Sequence, residues 1–541
     1  MENEIIGKRK SLKEGLSILH TFFATGLLLV TFFGVSFAEK THKSHSEWLT
    51  YNGDFTAIRY SSLTQISPQN VASIVKTGEY TITDTVPFQT GPVMIEKTLY
   101  FSTGFNTYAV DAITGKIIWS YKFKGKGALL DNSRGVAYDD GKIFRSTLDG
   151  HALALDSKTG KVIWDVVAGN TDLGEYCCAA CLVWEGKVYV TTAGSDVGAI
   201  GRVMALDEKD GHRIWNFDIV PATGPGAETW PSDPKKLRAG GGVWSSFSLD
   251  TETNQLYIPT GNPGPDFVKE YRPGDNLYTC SVVMLDAATG KLSGYHQFIP
   301  ADYHDWDMAS SPILFTSKAG EKMVAVAGKD GYLYVLDRKL TDVKYKIPVT
   351  TISNADAPIT IEGTRFLPGT QGGVEWNGPA YSPHLNALFV PSIDWASTVK
   401  LGNPDSLNNA KPGKIFVGSS NGFGDLDPVD KSSGWITALN AETGEVLWKY
   451  HAPKPMLAAV TPTASGLLFT GDLDGNLLVF DAASGKMLLK KKVGGPIGGG
   501  IITYSIDGKQ YLAVATGLNS NLFKTAFGRP SVAIYSLPSK K

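Results

Sequence analysis

The chain alternates short apolar runs with polar turns, and one phrase of this kind recurs along it. Its strongest copies are TYAVDAITGKIIW, LALDSKTGKVIW, MALDEKDGHRIW and TALNAETGEVLW, which end at Trp119, Trp164, Trp215 and Trp448. In each copy, two stretches with a period of two flank an Asp-x-x-Thr-Gly-like turn whose glycine permits a positive φ. Each copy therefore predicts two strands joined by a tight turn, with the tryptophan filling the space between neighbouring sheets.

The spacing of the copies predicts the architecture. With three weaker copies included, the turn Asp or Asn lies at positions 111, 156, 207, 286, 337, 440 and 481, at intervals of 45, 51, 79, 51, 103 and 41 residues. Intervals of roughly 40 to 50 residues are typical of four-stranded propeller blades. The 79-residue interval indicates an insertion, and the 103-residue interval has room for a blade whose copy has decayed. We therefore predict an all-β fold, an eight-bladed β-propeller of four-stranded blades.

The N-terminal segment is typical of a secretory signal peptide. A basic stretch at positions 8–13 precedes the uncharged run 21–35, and residues 36–38 place small side chains at the cleavage positions. The apolar run is shorter than the roughly 20 residues that span a bilayer. We therefore expect cleavage after Ala38 and a single propeller domain over 39–541 in the periplasm. An uncleaved membrane anchor is the alternative.

Composition and charge narrow the class of protein. Lys+Arg 51 against Asp+Glu 53 gives a net charge of -2, and 42% of the 541 residues are hydrophobic. This is a globular composition without the basic excess of a nucleic-acid binder, so no nucleic-acid partner is expected. The 59 glycines fit a fold with many tight turns.

The four cysteines are too few for a disulfide scaffold, and three of them stand in CCAAC at 177–181. Leu182 follows Cys181 where covalent haem attachment needs His, so a c-type haem is not expected. In an oxidising compartment a local disulfide is expected, either between Cys177 and Cys178 or between Cys178 and Cys181.

The segments that depart from the repeat carry the candidate chemistry. Taken alone, the Gly-Asn-Pro-Gly-Pro stretch at 261–265 is an ordinary turn signal, and Asp302, Asp305 and Asp307 fit a solvated loop. In combination, TGNPGP, RPGDNLYT, YHDWD and GGVEWNGPAYSP occur in the order typical of one family, between Glu47 and the C-terminal region. The chain resembles the quinoprotein alcohol dehydrogenases, periplasmic eight-bladed propellers that use pyrroloquinoline quinone (PQQ).

The resemblance implies a catalytic base and a metal site. Asp307 matches the base that takes the alcohol proton, and Asp196, Asn262 and Asp307 match the metal ligands. Asp196 stands where most members have Glu, which shortens the reach of the carboxylate. Two carboxylates and one amide are hard oxygen donors that suit Ca²⁺. Lanthanide-using relatives carry another Asp two residues beyond the base, and because Ala309 stands there, we predict calcium.

Further matches imply the cofactor site. Trp244 resembles the ring that stacks against the flat quinone, Arg134 the partner of a cofactor carboxylate, and Lys329 the cation that stabilises the reduced quinone oxygen. The other residues that the resemblance assigns to the cofactor are Gln89, Cys178, Ser195 and Asn377. For Gln89 and Asn377, a satisfied core amide is an equal alternative.

Two departures from the family concern the walls of this site. The adjacent cysteines that cover the quinone in many members are replaced by Ala128-Leu129, so a disulfide at Cys177-Cys178 would be a relocated pair. The family's second tryptophan also has no counterpart around 455–459.

The resemblance predicts oxidation of a small alcohol to its aldehyde, with electrons leaving to a separate acceptor, a c-type cytochrome. A PQQ enzyme for a polyol, sugar or polymeric alcohol is one alternative, and a non-catalytic propeller scaffold of the cell envelope is the other.

Overall fold

The strands of the computed structural model follow the recurring phrases of the sequence. It describes residues 46–125, 127 and 131–539, so the predicted signal peptide lies outside the described residues. Over the described ranges, the strands form eight four-stranded antiparallel sheets, which we number 1 to 8 along the chain. The all-β prediction is confirmed.

Sheets 1 to 4 follow one another along the chain. Sheet 1 consists of Val93–Ile95, Thr98–Ser102, Asn106–Asp111 and Ile117–Lys122. Sheet 2 consists of Ala137–Asp139, Lys142–Ser146, His151–Asp156 and Val162–Val167. Sheet 3 consists of Leu182–Trp184, Lys187–Thr192, Arg202–Asp207 and Arg213–Asp218. Sheet 4 consists of Ser248–Asp250, Gln255–Pro259, Ser281–Asp286 and Leu292–Gln297.

Sheets 5 to 8 complete the set, and the last one joins the two ends of the described chain. Sheet 5 consists of Ile313–Thr316, Lys322–Ala327, Tyr332–Asp337 and Val343–Pro348. Sheet 6 consists of Ala380–Ser382, Ala387–Asp394, Ser433–Asn440 and Val446–Ala452. Sheet 7 consists of Thr461–Pro462, Leu467–Gly471, Asn476–Asp481 and Met487–Lys492. Sheet 8 consists of Ile501–Ile506, Lys509–Thr516, Ser531–Ser536 and the early strand Val75–Thr81.

Smaller elements occupy the insertions. Two short sheets consist of Ala239–Gly240 with Pro263–Gly264, and of Thr364–Phe366, Ser397–Val399 and Asp425–Leu426. Among the described residues the helices are short 3₁₀ turns, at Val71–Ser73, Thr171–Leu173, Ser195–Val197, Ala227–Thr229, Lys269–Tyr271, Pro404–Leu407 and Val429–Lys431. Within 46–125, 127 and 131–539, no helix is long and apolar enough to cross a membrane.

The turn residues of the repeat all lie where the sequence predicts them. Positions 111, 156, 207, 286, 337, 440 and 481 each end the third strand of a sheet, from sheet 1 through sheet 7. The predicted decayed copy between 337 and 440 is wrong, because sheet 6 and the three-stranded insertion fill that interval. The eighth sheet instead forms where Val75–Thr81 pairs with Ser531–Ser536. Because this sheet combines segments from the two ends of the described chain, its sequence contains no recognisable copy of the repeat phrase.

The tryptophans of the repeat pack between sheets, as predicted. The indole N–H of Trp119 donates to Ser157 O at 2.8 Å, and that of Trp164 donates to Glu208 O at 3.0 Å. Each acceptor follows the turn Asp of the next sheet. The glycine of that next turn lies under the ring, because a Cβ on Gly211 would come within 2.8 Å of Trp164. A positive φ of 78° at Gly211 adds a second reason for glycine.

The hydrophobic core consists of separate layers between consecutive sheets. One buried cluster joins sheets 1 and 2, and corresponding clusters join each following pair up to sheets 7 and 8. A further cluster packs Ile502 and Tyr504 of sheet 8 against Leu99 and Phe101 of sheet 1. Burial of apolar area of this kind contributes about 25 cal/mol per Å². Each sheet is therefore held on both faces.

Candidate active site

Two kinds of connecting segment lie at the same end of each sheet. In an antiparallel meander, the residues before the first strand and the link between the second and third strands lie at the same end of the sheet. The links between the second and third strands of sheets 3, 4 and 5 carry Asp196, Asn262 and Lys329. The segments that precede the first strands of sheets 1 to 5 carry Gln89, Arg134, Cys178, Trp244 and Asp307.

These segments enclose a cavity of about 110 Å³. Of the residues predicted for the site, the cavity is lined by Gln89, Arg134, Cys178, Ser195, Asp196, Trp244, Asn262, Asp307 and Lys329. The first and last of them, Gln89 and Lys329, are more than two hundred residues apart in sequence, so only the arrangement of the sheets brings these side chains together.

A buried acid and a buried base face each other in the cavity. Lys329 Nζ lies 2.7 Å from Asp307 Oδ2 and 3.3 Å from Asp305 Oδ2. Burial disfavours the charged ammonium, but Asp305 and Asp307 outweigh burial and raise the pKa of Lys329 above its ordinary value. Asn262 N donates to Asp307 Oδ1 at 2.8 Å, and Lys329 N donates to Asp307 O at 2.9 Å. Asp307 is therefore oriented by two neighbouring loops.

Aromatic and cationic side chains form the wall opposite. The Arg134 guanidinium lies 5.1 Å from the centroid of the Trp244 ring and 4.4 Å from that of Trp376. Lys329 Nζ lies 5.6 Å from the Trp244 ring. Arg134 donates to Gln89 Oε1, and its Nε donates to Trp244 O at 3.4 Å. An aromatic ring with two cations close to it suits a planar, anionic ligand.

Three aspartates lie close together near Asp307. Ligand atoms of Asp196, Asp266 and Asp305 all lie within 4.8 Å of one another. Burial and the Asp307 charge raise the pKa of Asp196 to about 6, and burial is also the main cause that raises the pKa of Asp266 and of Asp305. Carboxylates crowded in this way favour a bound cation, and their oxygens are hard donors.

The smaller predicted groups also lie on the cavity. Ser195 Oγ accepts from Gly242 N at 2.8 Å, and Cys178 Sγ donates to Trp244 O at 3.6 Å. Gln89 accepts hydrogen bonds from Asn132 and Arg134. Ser195 and Cys178 thus fix the loops that carry Asp196 and Trp244.

Asn377 lies apart from these groups, since it does not line the cavity. Its Nδ2 donates to Leu457 O at 2.7 Å and to Gly498 O at 3.0 Å, while its Oδ1 accepts from Tyr51 Oη at 3.0 Å. The carboxamide is satisfied by protein groups within the core. These contacts favour the alternative of a satisfied core amide, and the cofactor contact of Asn377 stays a prediction.

Sequence reasoning missed several residues of the cavity. Trp376, which precedes Asn377 in the same motif, lines the cavity and packs edge-on against Phe523 with centroids 5.8 Å apart. Glu375 also lines it, and burial raises the pKa of Glu375 to about 7 although Lys329 and Arg134 oppose the shift. The GGVEWNGPAYSP motif therefore reaches the cavity through Glu375 and Trp376. Asp266 does not line the cavity but belongs to the acidic cluster beside it, and it gave no signal beyond its place in TGNPGPD.

The cysteines are buried free thiols in the structure, so the expected local disulfide finds no support there. Cys177 and Cys181 pack in the core between sheets 2 and 3, while Cys178 faces the cavity. Burial raises the pKa of the Cys178 thiol to about 11. Ala128-Leu129, the site of the expected departure from the family, lies outside the described residues.

Comparisons with known proteins point to one family. Residues 48–342 match the β-propeller domain of glucose, ethanol and alcohol dehydrogenases that carries the PQQ designation. Residues 432–517 match a second family, described as outer membrane protein assembly factor BamB.

Individual relatives agree with the first match. The chain is 30% identical to a quinohemoprotein alcohol dehydrogenase of Comamonas testosteroni, over 87% of this chain and 72% of the relative. It is 29% identical to a lanthanide-dependent methanol dehydrogenase of Methylacidiphilum fumariolicum (strain SolV), over 88% and 86%. Among solved structures, a europium-containing methanol dehydrogenase superposes with a TM-score of 0.81 at 26% identity, covering 92% of this chain and 99% of that one.

Proposed function

Because this chain belongs to the family of PQQ-dependent quinoprotein alcohol dehydrogenases and is an alcohol oxidoreductase, we propose that it converts an alcohol to its aldehyde with Asp307 as general base. The observation that carries the proposal is the buried contact of 2.7 Å between Lys329 Nζ and Asp307 Oδ2 on the cavity wall. A carboxylate within reach of a substrate hydroxyl can take its proton as the carbon is oxidised.

The residues on the wall fit the cofactor of the family. PQQ, when bound, supplies the acceptor for the hydride of the alcohol carbon. Trp244 would offer the flat face, Arg134 would pair with a cofactor carboxylate, and Lys329 would donate to a quinone oxygen as a cation. Gln89, Ser195 and Cys178 complete the polar lining.

The acidic donors fit a hard metal ion. Asp196, Asn262 and Asp307 are the proposed ligands, and calcium is the ion predicted from Ala309. The donor set supports a cation on structural grounds, because a buried Asp266 oxygen beside it has no hydrogen-bond partner among the described residues. In this site the cation would act as a Lewis acid toward the quinone.

We also propose that the eight sheets are the blades of a closed eight-bladed propeller. The cluster between sheets 8 and 1 and the pairing of Val75–Thr81 with Ser531–Ser536 support closure. A periplasmic location after cleavage at residue 38, and a separate c-type cytochrome as electron acceptor, remain proposals from the sequence.

A small alcohol is the proposed substrate. Apolar side chains of Phe423, Leu522 and Phe523 line the cavity beside its polar floor. This lining favours a short alkyl group over a polyol or sugar, whose hydroxyl groups need polar partners. The scaffold alternative is set aside, since the relatives are enzymes.

The test is turnover of purified protein with a dye acceptor and a panel of alcohols, with PQQ and metal together and each omitted. We expect activity to require both, and Asp307→Asn to lower kcat by roughly 10²–10⁴-fold while PQQ absorbance shows retained binding. Asp330→Asn, a buried aspartate adjacent to Lys329 that does not line the cavity, is the matched control and should keep kcat within a few-fold. Full turnover in Asp307→Asn would remove it as the base.

A further inference from the structure

Asp266 is a buried carboxylate that neither the repeat nor the predicted ligand set uses. Its side chain is fully buried, and Oδ1 accepts from Asn262 Nδ2 at 3.0 Å. Oδ2 has no hydrogen-bond partner among the described residues. An unpaired buried carboxylate oxygen costs several kcal/mol, so a positive partner is expected for it.

The nearest guanidinium does not supply that partner. Arg272 donates to Pro265 O at 3.2 Å and to Asn276 Oδ1 at 2.9 Å, and it also donates to Asp302 O. Its one contact with Asp266 is to the backbone carbonyl, at 3.4 Å. Arg272 therefore braces the loop and leaves the carboxylate of Asp266 directed elsewhere.

The carboxylate is directed toward the other acidic groups. A ligand oxygen of Asp266 lies within 4.8 Å of those of Asp196 and Asp305, although the three residues come from three different loops. Atoms so spaced can share one cation at the 2.3 to 2.6 Å distances of hard oxygen ligation. The Asn262 amide, which the sequence already assigns to the metal, binds Asp266 directly.

The acidic cluster beside the cavity has more anionic than cationic groups. Asp196, Asp266 and Asp305 lie together, and Lys329 pairs with Asp305 and Asp307. The Arg134 guanidinium also lies on the cavity, but its contacts are with Gln89 and with the Trp244 and Trp376 rings. Lys329 is within 4.0 Å of Asp305 and Asp307 only, so Asp196 and Asp266 are left without an ion-pair partner among the described residues. Electrostatic attraction to such a site grows in proportion to the charge of the cation.

We propose that Asp266 is a direct metal ligand and that it makes this site bind a trivalent lanthanide ion in preference to Ca²⁺, an inference that rests on the proposed function of the cavity. Ala309 lacks the carboxylate that the resemblance associates with lanthanide use, and Asp266 supplies one from a different loop. The calcium prediction took account of position 309 alone.

The experiment titrates the metal-free full-length chain with terbium chloride, followed by tryptophan-sensitised luminescence, and with calcium chloride in competition. Wild type should bind Tb³⁺ at least tenfold more tightly than Ca²⁺. Asp266→Asn should weaken Tb³⁺ binding by tenfold or more and Ca²⁺ binding by less. It should also leave unchanged or raise the Tm of the metal-free protein, since it removes an unpaired buried charge. A purely structural Asp266 predicts the opposite change in Tm.

The control is Asp210→Asn, because Asp207, Asp210 and His212 form an exposed group with similar spacing. It should leave Tb³⁺ affinity unchanged. If Asp266→Asn does not fold, the same titrations of Asp266→Ser and the relative affinities of wild type for Tb³⁺ and Ca²⁺ test the proposal. Tighter binding of Ca²⁺ than of Tb³⁺ to wild type, or unaltered Tb³⁺ affinity in the folded variant, would overturn the proposal. PQQ binding is measured in the same samples. If wild type does not bind PQQ, the proposed function fails; if wild type binds PQQ but shows no lanthanide preference, only the metal proposal fails.

Discussion

The contacts between sheets and the cavity use the same residue types in opposite ways. In the turn of sheet 2, Asp156 Oδ1 accepts from Thr159 Oγ1 at 2.7 Å and from Thr159 N at 2.8 Å, and the Thr159 hydroxyl is the main cause that lowers the pKa of Asp156. In the acidic cluster beside the cavity, Asp266 has one hydrogen-bonded oxygen, and burial raises its pKa. Trp164 is packed between sheets, whereas Trp244 presents its ring to open space.

This difference separates residues that stabilise the fold from residues that bind a ligand. Asp156 forms its hydrogen bonds with residues of its own turn, so the turn gains stability from its own sequence. The aspartates of the cavity repel each other without a cation, which lowers stability in exchange for binding. Three predictions test this division.

The largest effect on stability is expected for Trp164→Ala. The ring packs against Phe144 with centroids 5.9 Å apart, and its N–H bonds to Glu208 O. Its removal leaves a cavity between sheets 2 and 3 and should lower the free energy of unfolding by about 3–5 kcal/mol. Urea denaturation measures the loss.

Trp244→Ala is the matched comparison, since that ring already borders a cavity. It should lower stability far less and should weaken PQQ binding instead. Equal destabilisation by the two substitutions would contradict the division between the two regions.

A smaller effect is expected for Gly211→Ala. The new Cβ would meet the Trp164 ring at 2.8 Å, and φ is 78°. Positive φ and overpacking together should cost about 2–4 kcal/mol. Gly141, with a φ of 74° and no atom within 4 Å of a Cβ, isolates the backbone part, about 1 kcal/mol for Gly141→Ala. Equal losses would mean that the ring does not press on the turn.

The smallest effect concerns pH. Burial raises the pKa of Asp330 to about 6, although Tyr334 Oη donates to it at 2.5 Å and Lys346 opposes the shift. Between pH 4 and pH 6 the unfolded chain has lost this proton and the folded chain retains it, so stability falls as pH rises. Asp330→Asn should therefore gain Tm relative to wild type on going from pH 4 to pH 7.

Asp156→Asn should behave in the opposite sense. The lowered pKa of Asp156 adds stability at neutral pH that is lost as the pH falls through the folded-state pKa. The deficit of this variant should be greatest near pH 7 and shrink toward pH 3. Parallel pH profiles for the two variants would show that the buried Asp330 and the turn residue Asp156 do not differ in this respect.

The sequence by itself determined the features that depend on local order along the chain. The strand–turn–strand units, the positive φ of the turn glycines and the seven turn positions all follow from period-two alternation and turn chemistry. Asp307, Lys329, Trp244 and Arg134 were found through motifs, and the structure brings all four to one cavity.

Tertiary structure alone decided the rest. The eighth sheet joins strands more than 450 residues apart in sequence, so no repeat phrase marks it. Trp376 and Asn377 are neighbours in one motif, yet one lines the cavity and the other bonds in the core, because they are the two central residues of a turn in which Gly378 N donates to Glu375 O at 3.0 Å. Asp266 approaches Asp196 and Asp305 only because three loops meet at one edge of their sheets. Distances through space, which set charge balance and metal preference, are not encoded in any local pattern.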